Sequence, residues 1–188
     1  MNKRELVEEV RTMVLAAGLD VRTNVAKAWM SNRTPTDDDA TKHPRVVYRL
    51  AALHTRLGGK WENRSQKKEQ PLRFDLQVGD STLLEVDTLR HFSSARLTSL
   101  DFYDEMEHLL DLERYRELCE EHRDEADNSM RFRQSGDFPF AGGRTAQAAF
   151  FDTAKDLITP ANGFRLIRLP VPEGEITELT SLTLRIML

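Results

Sequence analysis

Cysteine occurs only once among the 188 residues, at position 119. A single thiol excludes an internal disulfide. Such sparing use of cysteine is typical of proteins in the reducing cytoplasm, where we expect this protein to act. Cys119 falls within a predicted helix, so the favoured interpretation is a small, buried apolar side chain without a chemical role.

Long apolar runs are also absent. A membrane-spanning helix needs about 20 consecutive apolar residues, and no stretch of this chain approaches that length. The first residues, 1–5, are mostly charged and lack the apolar segment that a signal peptide requires. The sequence therefore predicts a protein that makes no contact with membranes.

Net charge is small, at −4 for pH 7, but the charges are unevenly distributed. Residues 1–75 carry 15 Lys and Arg against 10 Asp and Glu, whereas residues 101–127 carry 12 acidic residues against 3 Arg. Phosphate binding depends on the local patch of charge and not on the average. The basic first part of the chain is therefore the candidate nucleic-acid side.

The spacing of apolar residues, together with capping and breaking residues, predicts the order of the elements. Helices are expected at 3–17, 25–30, 36–57 (kinked at Pro44 or beginning after it), 100–127 and 145–158. Strands are expected at 73–78, 83–87, 164–169 and 181–188, while 61–70 is either a loop or a first strand. This order predicts an α/β (α+β) fold around one mixed sheet, in a single domain over 1–188.

The two neighbouring strands 73–78 and 83–87 carry three carboxylates on one predicted face. Apolar and polar residues alternate in both strands, so burying the apolar set turns Asp75, Glu85 and Asp87 to the opposite face. A connection with an odd number of residues places Asp75 directly across from Glu85, about 5 Å away. Both carboxylates are then close enough to hold one divalent cation. We expect the oxygens of all three residues to converge on one metal centre.

Further residues after these strands complete a pattern. The chain contains Asp75, then Glu85-Val86-Asp87-Thr88-Leu89-Arg90-His91, then Asp152-Thr153-Ala154-Lys155, then Gly163-Phe164-Arg165-Leu166-Ile167-Arg168. In this order the residues resemble the very-short-patch-repair-like branch of the PD-(D/E)xK nuclease superfamily, over about 72–169. The resemblance implies a restriction-endonuclease-like fold, with N-terminal helices at 1–60, a core of 72–91 and 145–188, and a helical insertion at 97–144.

The resemblance implies that the protein hydrolyses phosphodiester bonds in DNA with the help of Mg²⁺ or Mn²⁺. Asp75 and Glu85 would be the primary metal ligands, with the carbonyl of Val86 as a further donor. Asp87 would be another ligand or the base that orients water. His91 would act as a general acid or base.

Three departures from the family pattern concern the catalytic cation and the backbone beside it. Asp87 stands where the superfamily motif has Lys, Lys155 replaces the usual Arg, and Thr88 replaces the usual Gly. We expect Lys155 to supply the missing cation, with Arg90 as a second candidate. The plainer interpretation of Lys155 is an ion pair with Asp152, three residues before it.

The candidate DNA contacts are four basic residues, Arg64, Lys67, Lys68 and Arg90. The alternative for the first three is an ordinary solvated loop. A different class of function also fits the sequence: a catalytically degenerate nuclease fold that serves as a binding or dimerisation module. In that case the acidic helix 100–127, with its apolar stripe Leu109, Leu110, Tyr115 and Leu118, would face a protein partner or a second copy. In a third possibility, this helix mimics the charge of DNA and covers the site until it is displaced.

Overall fold

A mixed sheet of four strands forms the centre of the part of the protein that the structure describes. The computed structural model describes residues 1–65, 67–103 and 110–177. The strands are β1 (Val21–Ser31), β2 (Pro71–Val78), β3 (Thr82–Thr88) and β4 (Arg165–Val171), in the order β1-β2-β3-β4. β2 is antiparallel to β1 and to β3, and β4 is parallel to β3. This arrangement confirms a mixed α/β fold.

Seven helices surround the sheet in the described part of the chain. They are α1 (Lys3–Ala16), α2 (Asp37–Lys42), α3 (Pro44–Arg56), α4 (Glu62–Ser65), α5 (Ser94–Ser99), α6 (Leu112–Ser129) and α7 (Gly143–Ala161). Short 3₁₀ turns occur at Leu89–His91 and Leu100–Phe102. None of the helices that the structure describes has the length and apolar character to cross a membrane.

The sheet buries apolar side chains on both faces. Helix α1 covers one face, where Leu6, Val10 and Val14 pack on residues of β2, β3 and β4. Helices α3 and α7 cover the other face, with Leu50, Leu53 and Phe150 in its core. Each fully buried side chain of this size contributes about 1.5–3 kcal/mol. Helices α1 and α7 lie on opposite faces of the sheet, and side chains from both reach Glu85 in β3.

The predicted helices at 3–17 and 145–158 and the strand at 164–169 are confirmed within a few residues. Pro44 divides the region 36–57 as expected, because its fixed φ suits the first turn of α3 and ends α2 before it. The segment 61–70 forms α4 and a loop, not a strand. The predicted strand 181–188 lies outside the described residues.

The predicted helix at 25–30 is wrong. These residues belong to β1, which pairs with β2 through Val25 and Phe74. The first 60 residues are therefore not purely helical. Ala, Lys and Met are good helix formers, but intrinsic propensity is a small effect, and the backbone hydrogen bonds offered by the edge of β2 override it.

The predicted single helix at 100–127 is also wrong. A 3₁₀ turn ends at Phe102, Tyr103 is extended, and α6 begins only after Asp111, whose side chain accepts a hydrogen bond from the Arg114 N–H. The apolar stripe does not form an outer surface where the structure describes it. The described members of the stripe are Leu110, Tyr115 and Leu118. They pack inside the molecule against Phe92, Leu100 and the buried Cys119. Leu109 lies outside the described residues.

Candidate functional site

Strands β2 and β3 separate at one end, and the predicted acidic residues lie where they part. The described ladder between them ends at Leu76 and Leu84. Asp75 and Glu85 are the next residues along the two strands, beyond the last described pair of this ladder. The Asp75 carboxylate accepts a hydrogen bond of 2.8 Å from the Val86 N–H, in place of the next backbone bond. We call this opening between the start of β2 and the end of β3 the fork.

Asp75 and Glu85 form a carboxylate pair that is held by two lysines. From α1, the Lys3 ammonium lies 2.8 Å from Asp75 Oδ2 and 3.8 Å from Glu85 Oε2. From α7, the Lys155 ammonium forms an ion pair with Glu85 Oε1 and donates to the Arg73 carbonyl oxygen at 2.7 Å. Among the described residues, Lys155 therefore pairs with the predicted metal ligand Glu85 and not with Asp152.

Burial and the neighbouring opposite charges shift the pKa values of Glu85 and Lys3 in opposite directions. Burial raises the pKa of Glu85, Lys155 opposes that rise, and the neighbouring Asp75 adds to it. For Lys3, burial lowers the pKa, but the charges of Glu85 and Asp75 outweigh burial and leave the pKa above its ordinary value. The pair therefore attracts a cation strongly, because without one Glu85 would be a buried carboxylate beside a second negative charge.

Asp87 does not converge on the same point as the pair. Arg168 Nη1 donates to both Asp87 oxygens at 2.9 Å, and the Tyr115 hydroxyl donates to Oδ2 at 2.9 Å. Burial raises the pKa of Asp87, but the charges of Arg168 and His91 outweigh burial, so the pKa lies below its ordinary value. The expectation of one three-carboxylate centre is thus corrected. The reason is the parallel pairing of β3 with β4, which places Arg168 beside Glu85 and directs its guanidinium to Asp87.

His91 is oriented by Asp152, which belongs to the sequence motif but was not among the predicted site residues. Its Nδ1 lies 2.9 Å from Asp152 Oδ2 and 3.7 Å from Asp87 Oδ1. Burial raises the pKa of Asp152, but His91 and Arg168 outweigh burial and hold the pKa well below its ordinary value. The other ring nitrogen, Nε2, has no hydrogen-bond partner among the described residues. The sequence gave no sign that Asp152 contacts His91, because the packing of α7 brings these two residues together.

A basic cleft of about 570 Å³ lies beside the fork, and Lys155 both lines this cleft and pairs with Glu85. It is bounded by the first residues of β2, by Arg90 and His91 after β3, by one side of α7 and by the loop before α7. Among the described residues that line it, Asp152 is the one acidic residue. The basic residues in its lining are Lys67, Lys68, Arg73, Arg90, Arg144 and Lys155.

The four predicted DNA contacts have different surroundings. Lys68 and Arg90 are exposed and line the cleft. Lys67 also lines it, but its ammonium forms an ion pair with the buried Asp137. Arg64 is buried, donates to the Thr34 carbonyl oxygen and lies over the rings of Trp61 and Phe150, so its contacts are those of a core residue.

The residues at the fork fit a metal ion only in part. The described residues contain no group of three or more His, Cys, Asp or Glu arranged to hold one. The pair Asp75 and Glu85 remains, and Mg²⁺ is commonly bound by one or two carboxylates with several waters. The Lys3 ammonium shows that this pair accommodates a cation. For a metal ion to bind this pair, the long, partly exposed Lys3 side chain must move aside.

Comparison with known proteins gives no relative for this chain. No protein-family model, curated protein or solved structure matches it. The function must therefore be inferred from the fork and the cleft.

Proposed function

We propose that this protein is a metal-dependent nuclease that hydrolyses phosphodiester bonds in DNA, with its active site at the fork. The observation that carries this proposal is that Lys155, which forms an ion pair with Glu85 of the cation-holding pair, also lines a basic cleft. The cleft supplies the positive charge that a phosphate backbone requires. A four-stranded mixed sheet between helices is compatible with a restriction-endonuclease-like fold.

Asp75 and Glu85 would hold Mg²⁺ or Mn²⁺, which supplies an activated water and positive charge near the scissile phosphate. Lys155 favours the ionised form of Glu85 through their ion pair, and it lines the cleft at the same time. A fixed ammonium in this place stabilises the charge that develops on the phosphate oxygens.

His91 would move the proton in this reaction. Its Nδ1 is bound by the Asp152 carboxylate, which fixes the orientation of the ring and leaves Nε2 as the reactive nitrogen. Asp87 acts at a distance in this scheme. It binds Arg168, whose guanidinium also donates to the Asp152 carbonyl oxygen at 3.0 Å, and so it positions the residue that orients His91.

A second candidate function is a nucleic-acid-binding module that has lost catalysis. The observation that favours it is the pairing of every acidic residue at the fork with a cation of the protein itself: Lys3, Lys155 and Arg168. Such a site is electrostatically balanced without a metal ion. The basic cleft would then bind DNA without cutting it.

Metal-dependent cleavage distinguishes the two functions. We expect the wild-type protein to degrade a mixture of DNA substrates in Mg²⁺ or Mn²⁺ and not in EDTA, and we expect Asp75→Ala to abolish this activity. Glu9→Gln is the matched control, since Glu9 is an exposed acidic residue of α1. Circular dichroism checks that both variants fold. Cleavage by Asp75→Ala at the wild-type rate would contradict the proposed active site, and DNA binding by the wild type without cleavage would favour the binding module.

A further inference from the structure

The loop between α6 and α7 forms one rim of the cleft and carries an unusual group of side chains. We call residues 130–142 the rim loop. Met130, Ser135 and Gly136 of this loop line the cleft. Between them lie exposed residues, Arg131, Phe132, Arg133 and Gln134. The basic surface of the cleft thus continues outwards onto the rim loop.

The rim loop is held in place at its far end. Asn63 Nδ2 donates to the Gly136 carbonyl oxygen at 2.8 Å, and the buried Asp137 forms an ion pair with Lys67. The next residue, Phe138, is fully buried in the core. The Arg144 N–H donates to the Arg133 carbonyl oxygen at 3.1 Å, which ties the loop to the first turn of α7. These contacts fix the backbone that carries residues 131–134.

Phe132 is the most exposed large apolar side chain that the structure describes, at 83%. A hydrogen bond of 2.9 Å from the Arg133 N–H to the Met130 carbonyl oxygen makes a turn that includes Phe132, and Met130 lines the cleft. The Arg131 guanidinium lies 5.4 Å from the centre of the Phe132 ring. Such an exposed aromatic ring can stack on a nucleic-acid base, while the nearby arginines and the basic cleft bind the phosphates of the same strand.

The cleft has a volume of about 570 Å³, which is typical of pockets that enclose one small ligand. Paired bases are stacked inside a duplex and enter such a pocket only after they are unpaired. An unpaired nucleotide fits this space. At the inner end of the cleft, His91 is at least nine-tenths buried and its Nε2 has no partner among the described residues, so a polar group of a ligand would complete its hydrogen bonds.

From these observations we infer that the protein binds single-stranded DNA, with one base stacked on Phe132 and the chain leading past Arg144 and Arg90 into the fork. This inference rests on the proposed function for the choice of DNA as the ligand, and it adds the form of the substrate. Duplex DNA is bound weakly because its paired bases can neither reach the Phe132 ring nor enter the cleft.

Binding in EDTA tests the inference separately from cleavage. The probes are a fluorescein-labelled oligothymidylate and a labelled duplex of the same length, followed by fluorescence anisotropy with the full chain. We expect the single strand to bind more tightly. We expect Phe132→Ala to weaken its binding by about 5- to 150-fold, since stacking on an aromatic side chain contributes that much per base. Phe132→Trp should restore it.

Tyr48→Ala is the matched control, because Tyr48 is an aromatic residue of α3 with 76% exposure and does not line the cleft. Its binding should equal that of the wild type. Equal or tighter binding of the duplex, or wild-type affinity in Phe132→Ala, overturns the inference. In either case metal-dependent cleavage of duplex DNA would leave the proposed function intact. Single-strand binding as expected without cleavage would instead remove the nuclease proposal and support the binding site.

Discussion

The position of Lys3 between two carboxylates leads to a prediction about metal affinity. If the pair Asp75 and Glu85 is the metal site, an incoming ion must first displace the Lys3 ammonium from contacts of 2.8 and 3.8 Å. A hydrogen bond to a charged group contributes about 1.5–3 kcal/mol. Lys3→Met removes the ammonium and keeps most of the aliphatic chain. We therefore expect the variant to bind Mn²⁺ about 10- to 150-fold more tightly than the wild type.

Isothermal titration with Mn²⁺ measures this change directly. Arg4→Met is the matched control, because it removes a positive charge from the same turn of α1 at an exposed position. Its Mn²⁺ affinity should stay close to that of the wild type. Without metal, Lys3→Met should unfold more readily than the wild type, because Glu85 and Asp75 lose a compensating charge. Saturating Mn²⁺ should reverse this loss. Unchanged or weaker Mn²⁺ binding by Lys3→Met would refute the reasoning that the ammonium occupies the cation site.

Two further predictions concern stability. Burial, with a smaller effect from Arg64, lowers the pKa of His54 to about 4, so the unfolded chain takes up a proton at higher pH than the folded protein does. The free energy of unfolding should therefore fall by up to about 3 kcal/mol as the pH drops from about 6.5 towards 4. His54→Phe should remove this loss, which urea titrations at pH 7 and pH 4.5 measure. An equal loss in the variant would contradict it. Arg168→Met leaves Asp87 and Asp152 buried without their guanidinium, and we expect it to cost about 3–5 kcal/mol in urea unfolding at pH 7. A loss below about 1 kcal/mol would show that the ion pairs of Arg168 are not needed for stability.

Local patterns predicted the hairpin of β2 and β3 well. Alternation of apolar and polar residues identified both strands, and the three residues between Val78 and Thr82 set the register in which Leu76 pairs with Leu84, next to the carboxylates Asp75 and Glu85. Both signals act over a few residues, so they can be read directly from the sequence. The break at Pro44 was predictable for the same reason.

Interactions between distant segments account for the errors. β1 was mistaken for a helix at 25–30 because its partner, β2, lies about 50 residues further along the chain. The single acidic helix at 100–127 was expected because its apolar residues have helical spacing. Asp111 is a good N-cap residue and would have indicated the true start of α6. The packing of Tyr115 and Leu118 against Phe92 depends on how the chain folds back on itself.

The sequence by itself determined the carboxylate pair, because side chains alternate along a strand and a short turn leaves one register. Only the tertiary structure decided which cation each carboxylate contacts. Lys3 and Lys155 come from helices on opposite faces of the sheet, and Arg168 comes from the neighbouring strand β4. The same packing brought the rim loop and α7 around one cleft. Ion pairs between distant residues form where packed helices and strands meet, and that geometry is not a property of any local stretch of chain.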